Sequence, residues 1–163
     1  MVPQPVRTAS ADASDRLQPR ILLLSLSHSG SSASRRLVEP LERSLQEAGA
    51  KTEVFDARAL PPMWVSDAKL DGAPPPYHGL RRLIADADGV ILIHPIYAYA
   101  SSSGTKAVLE LYGDVLNGKA VTFASASSTP RSHLAIASSI IPAIFDAGAY
   151  CYPQTIQTAG EPP

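Results

Sequence analysis

The sequence predicts an α/β fold built on a parallel β-sheet, and three observations support that prediction. Short apolar runs alternate with amphipathic helical patterns five times along the 163 residues. The runs at 21–26 and 90–93 are almost continuously apolar, as expected for strands buried on both faces. The loops after the first, third and fourth runs are all small or hydroxyl-rich. Because parallel strands end at a common edge of the sheet, we expect their loops to form one ligand-binding crevice.

The elements follow one another in a regular order. We expect strands at 21–26, 51–55, 90–93, 120–124 and 149–156, and helices at about 37–48, 80–87, 106–116 and 132–147. Gly49 closes the first helix. Pro40 and Pro142 lie inside helical patterns and predict kinks, and Pro153 predicts that the last strand is at an edge. Two folds fit this order: a flavodoxin-like sandwich with five parallel strands in the order 2-1-3-4-5, and half of a dinucleotide-binding fold.

Composition sets the class of protein. Hydrophobic residues make up 45% of the chain, which favours a packed globule. The formal net charge of -1 gives no support for binding to nucleic acid or to an anionic membrane. No apolar run reaches about 18 residues, so we expect a cytoplasmic protein.

Cys151, the single cysteine, is interpreted as an inert core thiol. We expect a disordered tail at 1–19, one domain at 20–157 and a C-terminal tail at 158–163.

The proline-punctuated segment at 60–76 is expected to form a long loop. It contains Trp64, the only tryptophan. We favour a role for Trp64 as a cover over the sheet edge. The alternative is that it belongs to a dimer contact or overhangs a ligand.

The loop after the first strand is the central feature of the sequence. Its serines, which precede a helical pattern, are Ser27, Ser29, Ser31, Ser32 and Ser34. The first N–H groups of a helix have no internal acceptor, and the helix dipole favours negative charge there. The loop therefore predicts a phosphate site. The alternative is that Ser31 or Ser32 simply caps the helix.

Known catalytic and nucleotide-binding patterns are absent from the sequence. The chain has no Walker motif, no G-x-G-x-x-G fingerprint and no G-x-S-x-G elbow, and it lacks the acids of a receiver domain. Its histidines, which are His28, His78, His94 and His133, lack metal-ligand spacing and are interpreted as ordinary hydrogen-bonded residues. We therefore expect no catalytic side chain and no metal, and assign the chemistry to a cofactor.

Two stretches resemble the NAD(P)H-dependent FMN reductase family of flavodoxin-like flavoproteins. The family's first loop reads roughly G-S-x-R-x-x-S-x-N, and its polar positions fall on Ser27, Ser29, Ser32 and Ser34. The second signature, P-E-Y-N-x-S-x-P-G-x-L-K, is matched at Pro95, Tyr97 and Lys106. The resemblance spans residues 20–156.

The resemblance implies a complete set of functional assignments. It implies FMN as cofactor, NAD(P)H as hydride donor, a small-molecule electron acceptor and a homo-oligomer. The FMN phosphate would be held by Ser27, Ser29, Ser32 and Ser34. The isoalloxazine ring would be bordered by Pro95, Ile96, Tyr97, Ala98 and Tyr99, with Ser125 to Thr129 closing the other side.

The departures from the family pattern lie in the loops. Ser29 replaces the phosphate-pairing arginine, for which Arg35 or Arg36 could compensate, although both are interpreted as solvated helix charges. The usual glycines after the fourth strand are replaced by bulkier residues. Arg131 is a candidate contact for the 2′-phosphate of NADPH.

Three functions fit the sequence. The preferred one is an FMN-dependent oxidoreductase that passes hydride from NAD(P)H to a quinone-like, azo, metal or free-flavin acceptor. The alternative is a flavodoxin-fold protein that has lost flavin catalysis and acts as a binding or scaffold partner. An electron carrier without nicotinamide chemistry is disfavoured, since such carriers are usually strongly acidic.

Overall fold

A computed structural model describes residues 18–62, 65, 70–129, 132, 134–152 and 156–159, and the structural statements below refer to these residues. Four residues singled out from the sequence, Trp64, Arg131, His133 and Pro153, lie outside the described residues. Most of the two predicted tails lies outside them as well.

The described chain alternates strands and helices. The strands are β1 (Arg20–Ser25), β2 (Lys51–Asp56), β3 (Gly89–Tyr97), β4 (Ala100–Ser101), β5 (Ala120–Ser127), β6 (Tyr150–Cys151) and β7 (Ile156–Ala159). The helices are α1 (Val38–Glu47), α2 (Pro75–Asp86), α3 (Ser103–Leu116) and α4 (Ile141–Asp146). Short 3-10 turns at Ser34–Leu37 and Ala57–Ala59 and a π-helical segment at Ile136–Ile140 complete the secondary structure.

The sheet has the strand order β2-β1-β3-β5-β6, and all of these neighbours are parallel. The flavodoxin-like class is therefore confirmed. The expectation of five strands needs correction, because the sheet has seven strands within the described residues. The predicted fifth strand is divided into β6 and β7, both of which pair with β5, and the two-residue β4 runs antiparallel to β3. Because β7 continues to Ala159, the sheet extends beyond the predicted domain end at residue 157.

The core lies on both faces of β1, β3 and β5. Leu22 and Leu24 of β1 belong to the larger cluster, which includes the buried residues of α2, α3 and the π segment. Leu23 lies on the opposite face, where it packs with Ile93 and Ala124 under the apolar residues of α1. This two-sided burial explains why the central strands are almost continuously apolar.

Two strands run further than their apolar segments. β3 continues through His94 and Pro95 to Tyr97, and β5 continues to Ser127, with His94 opposite Ser125 and Pro95 opposite Ala126. From the sequence these residues are expected in loops, because hydrophobicity decreases after Ile93. Pro95 is tolerated because the missing N–H would point towards β1, which has already ended at Ser25.

The two helix prolines lie near points where the helical geometry changes. Pro40 is the third residue of α1, just after the 3-10 turn, so it lies in the first helical turn and interrupts no interior hydrogen bond. Pro142 is the second residue of α4, the helix that directly follows the π segment. The helix thus changes its hydrogen-bond register next to the proline that predicted a kink.

No described helix is long and apolar enough to cross a membrane.

Candidate cofactor site

The predicted crevice lies at the carboxyl ends of β1, β3 and β5. These strands are neighbours in the sheet, so the segments that follow them start side by side. The 3-10 turn at Ser34–Leu37 contacts both β3 and β5. The structure thus brings together the serine loop, defined as residues 27–34, with the β3–β4 hairpin and Ser125.

The four predicted phosphate ligands of the serine loop differ in exposure. Ser27 and Ser34 are buried, Ser32 is half-buried and Ser29 is exposed. Ser32 Oγ lies 3.0 Å from Ser34 Oγ and accepts a hydrogen bond of 3.2 Å from the N–H of Arg35. Ser27 Oγ accepts a hydrogen bond of 3.3 Å from the N–H of Ser29. Ser32 therefore accepts a hydrogen bond from the first turn of the 3-10 helix, although the N-cap position itself is occupied by Ala33, which has no side-chain capping hydrogen bond.

Backbone donors of the serine loop remain free. The N–H groups of His28, Gly30 and Ser31 have no acceptor within the described part of the chain. All three residues are exposed. An anion bound here would meet amide hydrogens rather than carbonyl oxygens, which suits a phosphate group.

Arg35 differs from its predicted role as a solvated charge. Its side chain is 19% exposed and forms an ion pair with Asp56 at the end of β2, with Nε 3.0 Å from Oδ2. Its guanidinium also donates to the backbone carbonyl oxygens of Ser27 and Ser29. Arg36, by contrast, is exposed as expected.

Asp56 is shared between two arginines. Arg58 donates to it through its backbone N–H at 2.9 Å and through its guanidinium at 2.6 Å. Burial alone would raise the pKa of Asp56, but the hydrogen bonds from Arg58 and Arg35 outweigh burial and hold the pKa below its ordinary value. Asp56 is therefore ionised at neutral pH.

The β3–β4 hairpin carries the residues predicted to border the flavin ring. Ile96 is buried, whereas Tyr97 and Tyr99 are 58% and 53% exposed. Ala98 and Tyr99 form the two-residue turn with φ angles of 49° and 58°. Turns of this kind need positive φ at both positions and usually contain Asn-Gly. Alanine and tyrosine are unfavourable in this conformation, so the hairpin stores backbone strain at the candidate site.

Replacing Ala98 with glycine should stabilise the protein by about 0.5–1 kcal/mol, because the relief of left-handed strain exceeds the entropic cost of glycine. Urea unfolding of the variant and the wild type measures this difference. Ala100→Gly is the matched control, since Ala100 lies in β4 and should lose about 0.5–1 kcal/mol on the same change. Equal destabilisation by both changes would contradict the strain at Ala98.

Buried polar atoms without partners lie at the same end of the sheet. Ser25 Oγ, His94 Nε2 and Ser125 Oγ form no hydrogen bond within the described residues. Buried polar groups are normally paired with a hydrogen-bond partner. His94 and Ser125 lie opposite each other in β3 and β5, whereas Ser25 pairs with Ile93, so its side chain lies on the other face of the sheet. The free amides of the serine loop and the small side chains around them fit a site for the phosphate of FMN.

His94 is a buried strand residue rather than a loop histidine. It is 0% exposed, its Nδ1 lies 3.1 Å from the carbonyl oxygen of Pro95, and its ring centroid is 6.3 Å from that of Phe123. Burial lowers the pKa of His94 to about 4, so the imidazole is neutral at physiological pH. Only the interruption of the apolar run at residue 94 signalled this position in the sequence.

A second concave region was not foreseen from the sequence. A mostly apolar cavity of about 710 Å³ lies between α2, α3 and the segment after β2, and it is bounded by residues that include Leu60, Tyr77 and Tyr112. His28 of the serine loop lies at its border. Gly104 allows α3 to approach this loop, since a Cβ there would lie 3.2 Å from both His28 Cε1 and the carbonyl oxygen of Leu26.

No group of three His, Cys, Asp or Glu residues in the described chain could hold a metal ion.

Solved structures share this architecture. The apo form of the NADH:FMN oxidoreductase EMOB is 24% identical, with a TM-score of 0.74 over 86% of this chain and 75% of that one. FerB, a flavoenzyme NAD(P)H:(acceptor) oxidoreductase from Paracoccus denitrificans, is 18% identical, with a TM-score of 0.69 over 84% and 78%. The NAD(P)H:quinone oxidoreductase from Methanothermobacter marburgensis is 16% identical, with a TM-score of 0.65 over 87% and 86%. At these identities the likeness establishes the fold.

The family of the chain follows from its sequence match. Comparison with curated proteins gives no match. A family model described as NADPH-dependent FMN reductase, however, matches residues 19–160, which include every strand and the whole candidate site. The chain therefore belongs to the NADPH-dependent FMN reductase family, and it is a flavodoxin-like oxidoreductase with FMN as cofactor and NAD(P)H as hydride donor.

Proposed function

We propose that this oxidoreductase binds FMN across the ends of β1, β3 and β5 and reduces a planar aromatic acceptor, such as a quinone, an azo compound or a free flavin. The observation that carries the proposal is the meeting of the serine loop with the strained β3–β4 hairpin at one end of the sheet. A metal acceptor, which the sequence also allowed, is less suited to the exposed aromatic side chains described below.

The serine loop would hold the phosphate. The free N–H groups of His28, Gly30 and Ser31 would supply donors there. Ser29 is exposed and can add its hydroxyl, whereas Ser27, Ser32 and Ser34 contribute mainly by fixing the shape of the loop. This division of roles refines the prediction that all four serines are direct ligands.

The β3–β4 hairpin would place the isoalloxazine ring. Bound FMN supplies the redox chemistry, which is hydride acceptance from the nicotinamide and delivery of electrons to an acceptor. The protein contributes orientation and exclusion of water. The backbone of residues 95–99 would border the ring, and the exposed rings of Tyr97 and Tyr99 offer stacking surfaces that favour a planar aromatic acceptor.

An exposed apolar surface supports the expected homo-oligomer. Large apolar side chains are exposed on α4, β6 and the residues beside them: Leu134, Phe145, Tyr150, Tyr152 and Ile156. All five lie between residues 134 and 156, in the part of the chain that forms α4 and one edge of the sheet, and an apolar surface there would suit a contact with another protein. Light scattering over a range of protein concentrations measures the oligomeric state, and a strictly monomeric protein would contradict this part of the proposal. A cytoplasmic location remains a prediction from the sequence.

An absorbance and fluorescence titration with FMN tests the function, followed by anaerobic addition of NADPH or NADH to the complex. We expect quenching of flavin fluorescence on binding, bleaching of the flavin absorbance on reduction, and recovery of colour on addition of a quinone. Recovery with ferric ion but not with quinone or azo compounds would contradict the acceptor class. Absence of FMN binding at high concentration would favour the alternative of a binding or scaffold protein.

A further inference from the structure

Arg35 holds the serine loop in shape, and the role inferred for it below rests on the proposed function. In the family pattern an arginine occupies the position of Ser29 in this chain. Arg35 lies six residues later, at the start of the 3-10 turn, and it points back into the loop rather than into solvent.

The guanidinium of Arg35 makes contacts on two sides. On the loop side, Nη1 donates to the carbonyl oxygen of Ser29 at 2.7 Å, and Nη2 donates to the carbonyl oxygen of Ser27. On the sheet side, Nε and Nη2 donate to Asp56 Oδ2 and Oδ1 at 3.0 and 3.3 Å. Arg35 therefore ties the loop after β1 to the end of β2.

These contacts determine where two amide hydrogens point. In a trans peptide the C=O and the following N–H point in opposite directions. Because the carbonyl of Ser27 faces the guanidinium, the N–H of His28 faces away from it. The same holds for the carbonyl of Ser29 and the N–H of Gly30. His28 and Gly30 are two of the loop residues whose amides have no acceptor within the described residues.

We propose that Arg35 is a positioning residue that aims the N–H groups of His28 and Gly30 at the FMN phosphate. Asp56 holds the guanidinium on the side of these peptides that is opposite to their N–H groups. The positive charge therefore fixes the loop conformation from the side away from the phosphate. Only a planar fork can serve two carbonyl oxygens and a carboxylate together, and a lysine ammonium has no equivalent geometry.

A purely electrostatic role for Arg35 gives different expectations. If its positive charge alone attracted the phosphate, Arg35→Lys would retain affinity, and removal of the Asp56 charge would increase affinity. If Arg35 positions the loop, Arg35→Lys should behave almost like Arg35→Ala, and Asp56→Ala should decrease affinity because the guanidinium loses its anchor. Arg58→Ala is the matched control, since it removes the same charge from the other partner of Asp56 without touching the loop.

The test compares FMN with riboflavin, which has the same ring and ribityl chain but no phosphate. Dissociation constants are measured by fluorescence titration of the full chain. We expect Arg35→Ala and Arg35→Lys to weaken FMN binding at least 10-fold, riboflavin binding to change less than 3-fold, and Arg58→Ala to bind FMN like the wild type. Wild-type affinity in Arg35→Lys, or an equal loss for both flavins in Arg35→Ala, would overturn the proposal.

Amide NMR of the flavin-free protein provides a readout that does not depend on FMN. We expect the amide resonances of His28 and Gly30 to shift in Arg35→Ala and to stay in place in Arg58→Ala. Unchanged resonances in Arg35→Ala would overturn the positioning role. A wild type that binds neither flavin would instead overturn the proposed function, and the amide shifts would still decide whether Arg35 orients the loop.

Discussion

Replacing Ser32 with glutamate should lower FMN affinity at least 100-fold, measured by fluorescence titration. Ser32 lies in the loop proposed to hold the phosphate, and it is half-buried. Two like charges about 4 Å apart near a protein surface repel by about 4 kcal/mol at an effective dielectric constant of about 20. Since about 1.4 kcal/mol corresponds to a tenfold change, even part of this repulsion gives the expected loss.

Two variants separate the charge from other effects of the change. Ser32→Gln also loses the serine hydroxyl that bonds to Ser34 and to the N–H of Arg35, but it adds no charge, so its loss should be much smaller. Ser44→Glu adds the same charge on the exposed surface of α1, away from the loop, and should leave FMN affinity unchanged. Riboflavin affinity should hardly change in any of these variants. Equal FMN affinity in Ser32→Glu and Ser32→Gln would refute the phosphate assignment of the serine loop.

Lowering the pH from 7.5 to 5 should cost the wild type about 2 kcal/mol of unfolding free energy through His94 alone. The pKa of His94 is about 4 in the folded protein, and about 6.5 is usual for an unfolded chain. Between these values the unfolded chain binds more protons, so stability rises with pH. The contribution of neutral His94 is therefore fully present above the unfolded pKa and is lost as the pH falls towards the folded value.

Urea unfolding at pH 7.5 and pH 5 measures this contribution, with His94→Gln as the comparison. The variant should lose about 2 kcal/mol less than the wild type over this range, because the other titrating groups are common to both proteins. The same pH dependence in His94→Gln and the wild type would show that His94 titrates normally in the folded state.

The sequence was sufficient for the fold class because the sheet is buried on both faces. Apolar runs such as 21–26 follow directly from that burial, and the alternation with helices determines the parallel topology. The upper parts of β3 and β5 escaped detection because His94 and Ser125 are polar, although they pair with each other in the sheet. Hydrogen bonding between main chains, which leaves no mark on composition, determines where these strands end.

The site was predictable in position but not in detail. The ends of parallel strands meet by topology, so the serine loop and residues 95–99 could be placed together from the sequence. The turn at Ala98 and Tyr99 could not be recognised, because neither residue is typical of positive φ. The role of Arg35 depends on Asp56, which is 21 residues away in sequence and is brought near by the pairing of β1 with β2.

The two edges of the sheet have consequences for aggregation. An exposed sheet edge can add a strand from another molecule, and proteins prevent this with charged side chains or with short edge strands. β2, at one edge, carries Lys51 and Glu53, so a second β2 would bring like charges together in several registers. The opposite edge is divided between β6, with two residues, and β7, with four, so each offers few backbone groups to an incoming strand. Both sheet edges therefore resist the strand addition that leads to fibrils, each through a different feature. Ordered complexes are then favoured through side-chain surfaces rather than through edge strands.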